Sequence, residues 1–250
     1  KKGVCAVDHC EFLGNNKVDT DAIDYDGIVD GIIRNTKVSG FSGGNSDAID
    51  LGEDSKNILI ENCYISDCTD KGISVGQAST CTVINTTIIA CNLGIGVKDD
   101  SSMANVKFCT LYGNDYHFAA YEKNLGKGGG KIRATNCILA KSYFNDLYND
   151  NSKNLNIINC NSDKNWTIKG NLTVNYSFFN ANNDDFRQNK KEKLLQINKS
   201  VKCGTKYFWK FKNNKKALLL SEILVDNQGI YNNENGKKPD FIEIYNPTNT

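Results

Sequence analysis

Proline is nearly missing from this 250-residue chain: two occur, and neither lies before position 239. Proline cannot donate a backbone hydrogen bond, so its absence fits a fold whose strands all donate to ladders. Histidine is equally scarce, at two residues, and the ten cysteines include no Cys-x-x-Cys pair, so a zinc site is not expected. No apolar run is long enough to suggest a membrane span. Neither sign of charge is in excess. Thirty Lys and Arg stand against 29 Asp and Glu, a net charge of +1 that gives no whole-chain basis for nucleic-acid binding. The opening Lys1-Lys2-Gly3 has no apolar stretch behind it, so any signal peptide is expected to have been removed or left out. What the chain has in excess is asparagine, about one residue in seven, and its hydrophobic share of 39% suffices for a sizeable core.

Internal repetition organises the rest. Asp21-Ala22-Ile23-Asp24 recurs as Asp47-Ala48-Ile49-Asp50, then in altered form as Lys71-Gly72-Ile73-Ser74-Val75 and Leu93-Gly94-Ile95-Gly96-Val97. A second series runs in phase: Asn35-Thr36-Lys37-Val38, Asn62-Cys63-Tyr64-Ile65, Asn85-Thr86-Thr87-Ile88, Phe108-Cys109-Thr110-Leu111 and Asn136-Cys137-Ile138-Leu139. A third lies between them, as in Gly31-Ile32-Ile33-Arg34 and Asn57-Ile58-Leu59-Ile60. Each repeat of roughly 23 residues thus holds three short β-branched segments divided by Gly, Asn, Asp and Ser. Such segments make no stable sheet alone, but coil stacked on coil pairs each strand with its equivalents and joins the inward residues into one core. The expected fold is all-β, a right-handed parallel β-helix solenoid over residues 1–186, its coils clearest over 18–140. Asn suits the left-handed corners between strands.

The cysteines sort by that pattern. Cys63, Cys109, Cys137 and Cys160 share one position and read as small buried hydrophobes. Cys68 and Cys91 lie one coil apart, and coils about 4.8 Å apart leave both a disulfide and a pair of core thiols open. Cys5 and Cys10 are expected in a cap before the first coil. Residues 187–216 carry eleven Lys or Arg against Glu192 alone, and read as a solvated closing segment and linker. Beyond it, Ala217 to Val225 and Asp240 to Pro247 read as two strands opening a second β domain, cut short at Thr250.

By the period-two rule Ile49 and Leu51 face inward, so Asp50 faces out, with Asp24, Ser74 and Gly96 as its equivalents. Asp21, Asp24, Asp47 and Asp50 are therefore expected to form a carboxylate square on two coils, near Asp26, Glu53 and Asp54. Stacked like charges repel unless neutralised, and Ca2+ accepts several carboxylates in flexible geometry. The alternative is a solvated acidic face whose Asp residues bind turn amides. Lys71 stands one coil above Asp47, and Lys98 follows on the next coil. Tyr112, Tyr116 and Tyr121, with Tyr143 and Tyr148, are candidates to stack on sugar rings or to cover the solenoid's flank. His117 is expected as a corner residue rather than a base.

Resemblances sharpen these expectations. Asn45 to Asp50, Asn57 to Cys63 and Asp70 to Gly76 carry a resemblance to the pectate-lyase-like right-handed β-helix repeats of bacterial extracellular multidomain proteins. Ser221-Glu222-Ile223 and Asp240 to Pro247 are similar to the start of a lamin-tail domain, an immunoglobulin-like β-sandwich that follows such helices in some of these proteins. A CotH-type kinase domain sometimes follows further on. The resemblance implies an extracellular or cell-surface module whose partner is a polysaccharide or cell-surface glycan. Within β-helical polysaccharide lyases a calcium-binding Asp cluster stands beside a basic residue that removes a proton from a uronate. One such lyase family, to which Asn45–Leu51 is similar, places its catalytic Lys where this chain has Ser74. β-Elimination of an acidic glycan would therefore fall to Lys71 or Lys98. The β-helical polygalacturonases use clustered carboxylates, but their Gly-His-Gly motif corresponds here to Asp70-Lys71-Gly72. Three expectations result: a non-catalytic carbohydrate-recognition module, favoured because the lyase Lys is missing; a calcium-dependent lyase; and a rigid stalk roughly 30 Å long.

Overall fold

In the computed structural model, residues 5–149, 154–164, 172–173, 178–181, 185–188, 203–206, 219–224 and 241–245 are described. The chain divides into two compact units, Lys1–Trp209 and Lys210–Thr250.

The first unit is a parallel β-solenoid with three sheets along its axis. Sheet A has seven strands, from Ala6–Asp8 to Leu155–Ile158, and sheet B eight, from Glu11–Leu13 to Leu172–Thr173. Sheet C has six, from Ile23–Asp26 to Asn145–Asn149. Each strand pairs in parallel with its equivalents one coil away, as Ile49 does with Ile23 and Ile73. Inward residues therefore stack in columns: Ile23, Ile49, Ile73, Ile95 and Phe118 from sheet C, Val38, Ile65, Ile88 and Leu111 from sheet B. These belong to one continuous core cluster. Burying each such Ile contributes roughly 1.5–3 kcal/mol, summed along the axis. No described helix is long and apolar enough to cross a membrane.

The corner between sheets A and B shows why Asn and Cys recur. His9, Asn35, Asn62, Asn85, Phe108, Asn136 and Asn159 all take a left-handed conformation, with φ between 50° and 56°. Asn tolerates this conformation better than most side chains, and its amide adds a ladder: Asn85 donates to Asn62 at 2.6 Å, Asn62 to Asn35 at 3.3 Å, and Asn35 to Asp8 at 2.9 Å. The next residue is Cys or Thr on every coil: Cys10, Thr36, Cys63, Thr86, Cys109, Cys137 and Cys160. Each donates its thiol or hydroxyl to the carbonyl two residues earlier. Thr86 also accepts the Cys63 N–H at 3.2 Å, and the Cys160 sulfur accepts that of Cys137 at 3.3 Å. Buried Cys therefore serves here as a hydroxyl substitute, a role beyond that of a small hydrophobe. Cys68 and Cys91 are buried, and all ten cysteines are present as thiols. Cys10 is no cap residue. Its strand already pairs with the next coil (Glu11 with Lys37), so the solenoid begins at Ala6, ahead of residue 18.

Of the basic segment, residues 203–206 are described and lie across this corner. Cys203 donates to the Asn159 carbonyl at 3.1 Å, Gly204 to that of Asn136 at 2.9 Å, and Thr205 to that of Asn85 at 3.0 Å. In the second unit Leu219–Leu224 and Phe241–Tyr245 pair antiparallel. Further features of the expected sandwich lie outside the described residues.

Candidate functional site

The candidate residues share the outer side of sheet C, where three columns run along the axis. The first is Asp21, Asp47, Lys71, Leu93, Tyr116 and Asn145. The second is Asp24, Asp50, Ser74, Gly96, Ala119 and Tyr148. The third sets Asp26 beside Gly52 and Lys98 beside Tyr121.

The expected carboxylate square divides into two pairs. Asp21 accepts the backbone N–H of Asp47 at 2.6 Å, and Asp47 accepts that of Lys71 at 2.8 Å, so each caps the coil above it. The Lys71 ammonium lies 3.4 Å from Asp47 and in contact with Asp70, and the residue is 5% exposed. Burial works against its charge, but Asp47 and Asp70 more than offset it and hold its pKa above the usual lysine value. Burial pushes Asp47 up to about 6, reinforced by Asp70 and Asp50 and opposed by Lys71.

Asp24 and Asp50 belong to a different setting. With Asp26, Glu53, Lys98 and Lys123 they give the charges of a cleft of about 280 Å³ whose floor includes Gly52 and Gly76. Partial burial, then repulsion from Asp26, Asp50, Asp21 and Glu53, raises Asp24 to about 6. Partial burial and Glu53 also raise Asp26. Lys98, 8% exposed, stands 3.7 Å from Asp50. Burial lowers its pKa; Asp50 opposes the shift, while Lys71 and Lys123 add to it. Its stem crosses Gly76, where a Cβ would come within 2.9 Å of Lys98 Cε. Asp99 also lines the cleft but is engaged by the amides of Lys123 and Asn124, at 2.7 and 2.9 Å. Asp21 and Asp47 do not fit a calcium ligand set, since the same oxygens accept backbone amides. Among the described residues no group of three His, Cys, Asp or Glu side chains is arranged to hold a metal ion.

The tyrosines separate likewise. Tyr112 lies on sheet B, 5.0 Å from the Phe186 ring and packed on Ile138, Ala140 and Cys203. Tyr116 and Tyr121 lie on sheet C, in a cluster with Phe144 and Tyr148 at 5.5 to 6.1 Å between centroids. Tyr143 joins through Phe144, and Tyr143, Phe144 and Tyr148 are 76%, 58% and 44% exposed. The Tyr121 hydroxyl is pushed up to about 12 by burial, with Asp70 and Asp47 adding and Lys71 opposing. His117 is fully buried beside Asn114 and Asp146, out of reach of a surface substrate.

Lys123 and Phe144 escape the sequence pattern. Lys123 follows strand Tyr116–Tyr121 in an irregular turn, and the one local sign of its position is the amide hook made by Asp99. Phe144 falls in the turn before Asn145–Asn149, where the periodicity has faded.

No curated protein and no solved structure matches the chain. Residues 1–161, more than half of it, match the family described as a right handed beta helix region, and with the parallel three-sheet solenoid now in view the protein belongs to that family.

Proposed function

We propose that the outer side of sheet C is a glycan-binding surface and that the solenoid acts as a non-catalytic recognition module. The observation that carries this reading is the exposed aromatic cluster of Tyr116, Tyr121, Phe144 and Tyr148, which continues along one sheet into the charged cleft. Aromatic faces stack on the C–H faces of sugars while neighbouring polar groups set orientation. The fold is compatible with polysaccharide binding, though β-helices host several functions. The resemblance of residues 217–250 to a lamin-tail start would make the solenoid one module of a cell-surface protein.

Lys98 supports a second reading. It is a lysine of lowered pKa in a cleft beside carboxylates, which is the environment of a proton-abstracting base. Lys71 lacks that freedom because two carboxylates hold it. A glycan array probed with the wild type and with Tyr148→Ala tests the main reading. Binding is expected, with affinity reduced about tenfold in the variant, the effect of losing one aromatic contact. Absence of binding across the array sinks it. A calcium-dependent rise in ultraviolet absorbance from unsaturated uronate products, abolished by Lys98→Ala, would replace it with the lyase.

A further inference from the structure

The cleft on sheet C holds more negative charge than the protein itself neutralises. Asp50 is matched by Lys98 at 3.7 Å, and Asp99 by two backbone amides. Asp24, Asp26 and Glu53 remain, and none of the three side chains takes a hydrogen bond or ion pair from a described residue; the one other cation of the cleft is Lys123. Carboxylates gathered on one wall with no partner favour a cationic occupant.

A second observation comes from Ser74. It stands in the outward column directly beside Asp50, on a strand whose Ile73 and Val75 face the core. It is 0% exposed, and its hydroxyl has no hydrogen-bond partner. A buried hydroxyl is ordinarily satisfied, so one facing out beside the cleft floor is a vacant donor and acceptor for a ligand group. The enclosed volume, about 280 Å³, falls just below the range of drug-sized pockets and suits one sugar unit. Tyr121, paired with Lys98 one coil further on, starts the aromatic strip on which the next unit of a chain would lie.

We propose that this cleft receives an amino sugar, its ammonium group set among Asp24, Asp26 and Glu53 and a ring hydroxyl directed at Ser74, with neighbouring units of the glycan on the aromatic strip. This rests on the glycan-binding reading and names its substrate class. A free polyamine or a bare divalent cation would meet the same carboxylates but would gain nothing from the aromatic strip.

Titration calorimetry with glucosamine oligomers and the matching N-acetylglucosamine oligomers decides the matter, because the two differ only in the charged group. The amine form is expected to bind at least about tenfold more tightly, the size of a charge-assisted hydrogen bond. Asp24→Asn with Asp26→Asn is expected to bring both forms to equal affinity, while Tyr148→Ala weakens both alike. Both Asp side chains are exposed, and an unchanged melting temperature confirms that the double variant folds. Equal affinity of the two forms for the wild type overturns the proposal. So does spermidine binding as tightly as the oligomer, or Ca2+ displacing it from the cleft. Binding of neutral glycans without either glucosamine form overturns the amino-sugar assignment and leaves the glycan surface standing; no glycan binding at all removes both.

Discussion

Two glycines four residues apart on one coil make opposite predictions for the same substitution. At Gly72 a Cβ would sit 2.7 Å from the Gly94 carbonyl oxygen and 2.6 Å from Ile88 Cγ2, contacts with backbone and core that cannot retreat. At Gly76 the nearest atom, at 2.9 Å, is Lys98 Cε, the far end of a flexible side chain. Neither glycine has a positive φ, so backbone conformation does not separate them. Overpacking a filled core costs about 1–3 kcal/mol, and Gly72→Ala belongs at the upper end because two hard contacts coincide. For a solenoid of this size 3 kcal/mol lowers the melting temperature by roughly 6–12 °C. Gly76→Ala gains about 0.4–1 kcal/mol from the less flexible unfolded chain, against the small cost of moving Lys98. Its melting temperature is expected within about 3 °C of the wild type. The consequence at Gly76 is functional: Lys98 leaves Asp50, and the affinity of the cleft changes although stability does not. Thermal denaturation followed by circular dichroism reads both variants. Equal shifts would show that the lysine stem is packed as rigidly as the core, and the reasoning about the cleft would fail.

Other consequences follow from the corners and the core. Asn62→Ala is expected to lose roughly 2–4 kcal/mol, from left-handed backbone strain plus two amide contacts, and Asn62→Gly about half of that, since glycine keeps the conformation; urea denaturation ranks them. His117 has its pKa lowered to about 3, by burial first; Asp163 opposes the shift, Lys164 adds to it, and Asp146 at 3.7 Å is too distant to hydrogen-bond. Because the unfolded chain takes up this proton below its ordinary pKa near 6.5, His117 stabilises the fold above that value and the contribution is lost as pH falls towards 3. The stability difference between wild type and His117→Gln should therefore change by about 1.4 kcal/mol per pH unit across that window, and a flat difference would contradict it. Thiol labelling of the native protein should reach only the half-exposed Cys5 and Cys10, with the eight buried cysteines reacting on unfolding; mass spectrometry counts them.

The solenoid was legible because its signals repeat. The spacing of Asp-Ala-Ile-Asp, Gly-Ile-Ser-Val and Gly-Ile-Gly-Val places Asp24, Asp50, Ser74 and Gly96 in one column, and the register bears this out. The first coil was less visible because His9-Cys10 stands where later coils have Asn followed by Thr or Cys, and a lone His gives no corner signal. The carboxylate columns could be read too, but not their use. Whether an Asp meets an amide, a lysine or open solvent depends on side-chain reach between coils, as the contrast of Asp47 with Asp24 shows. Tyr112 shares its position type with the other tyrosines, yet it faces sheet B, where Phe186 from a later hairpin covers it.

The most direct test of the glycan surface is hydrogen–deuterium exchange with and without the best-binding oligomer from the array. The account predicts protection confined to sheet C, across Ile23–Asp26, Ile49–Gly52, Lys71–Val75, Leu93–Lys98 and Tyr116–Tyr121, with sheets A and B unchanged. Protection centred on sheet A or on the corner crossed by residues 203–206 would contradict it and move the binding face elsewhere.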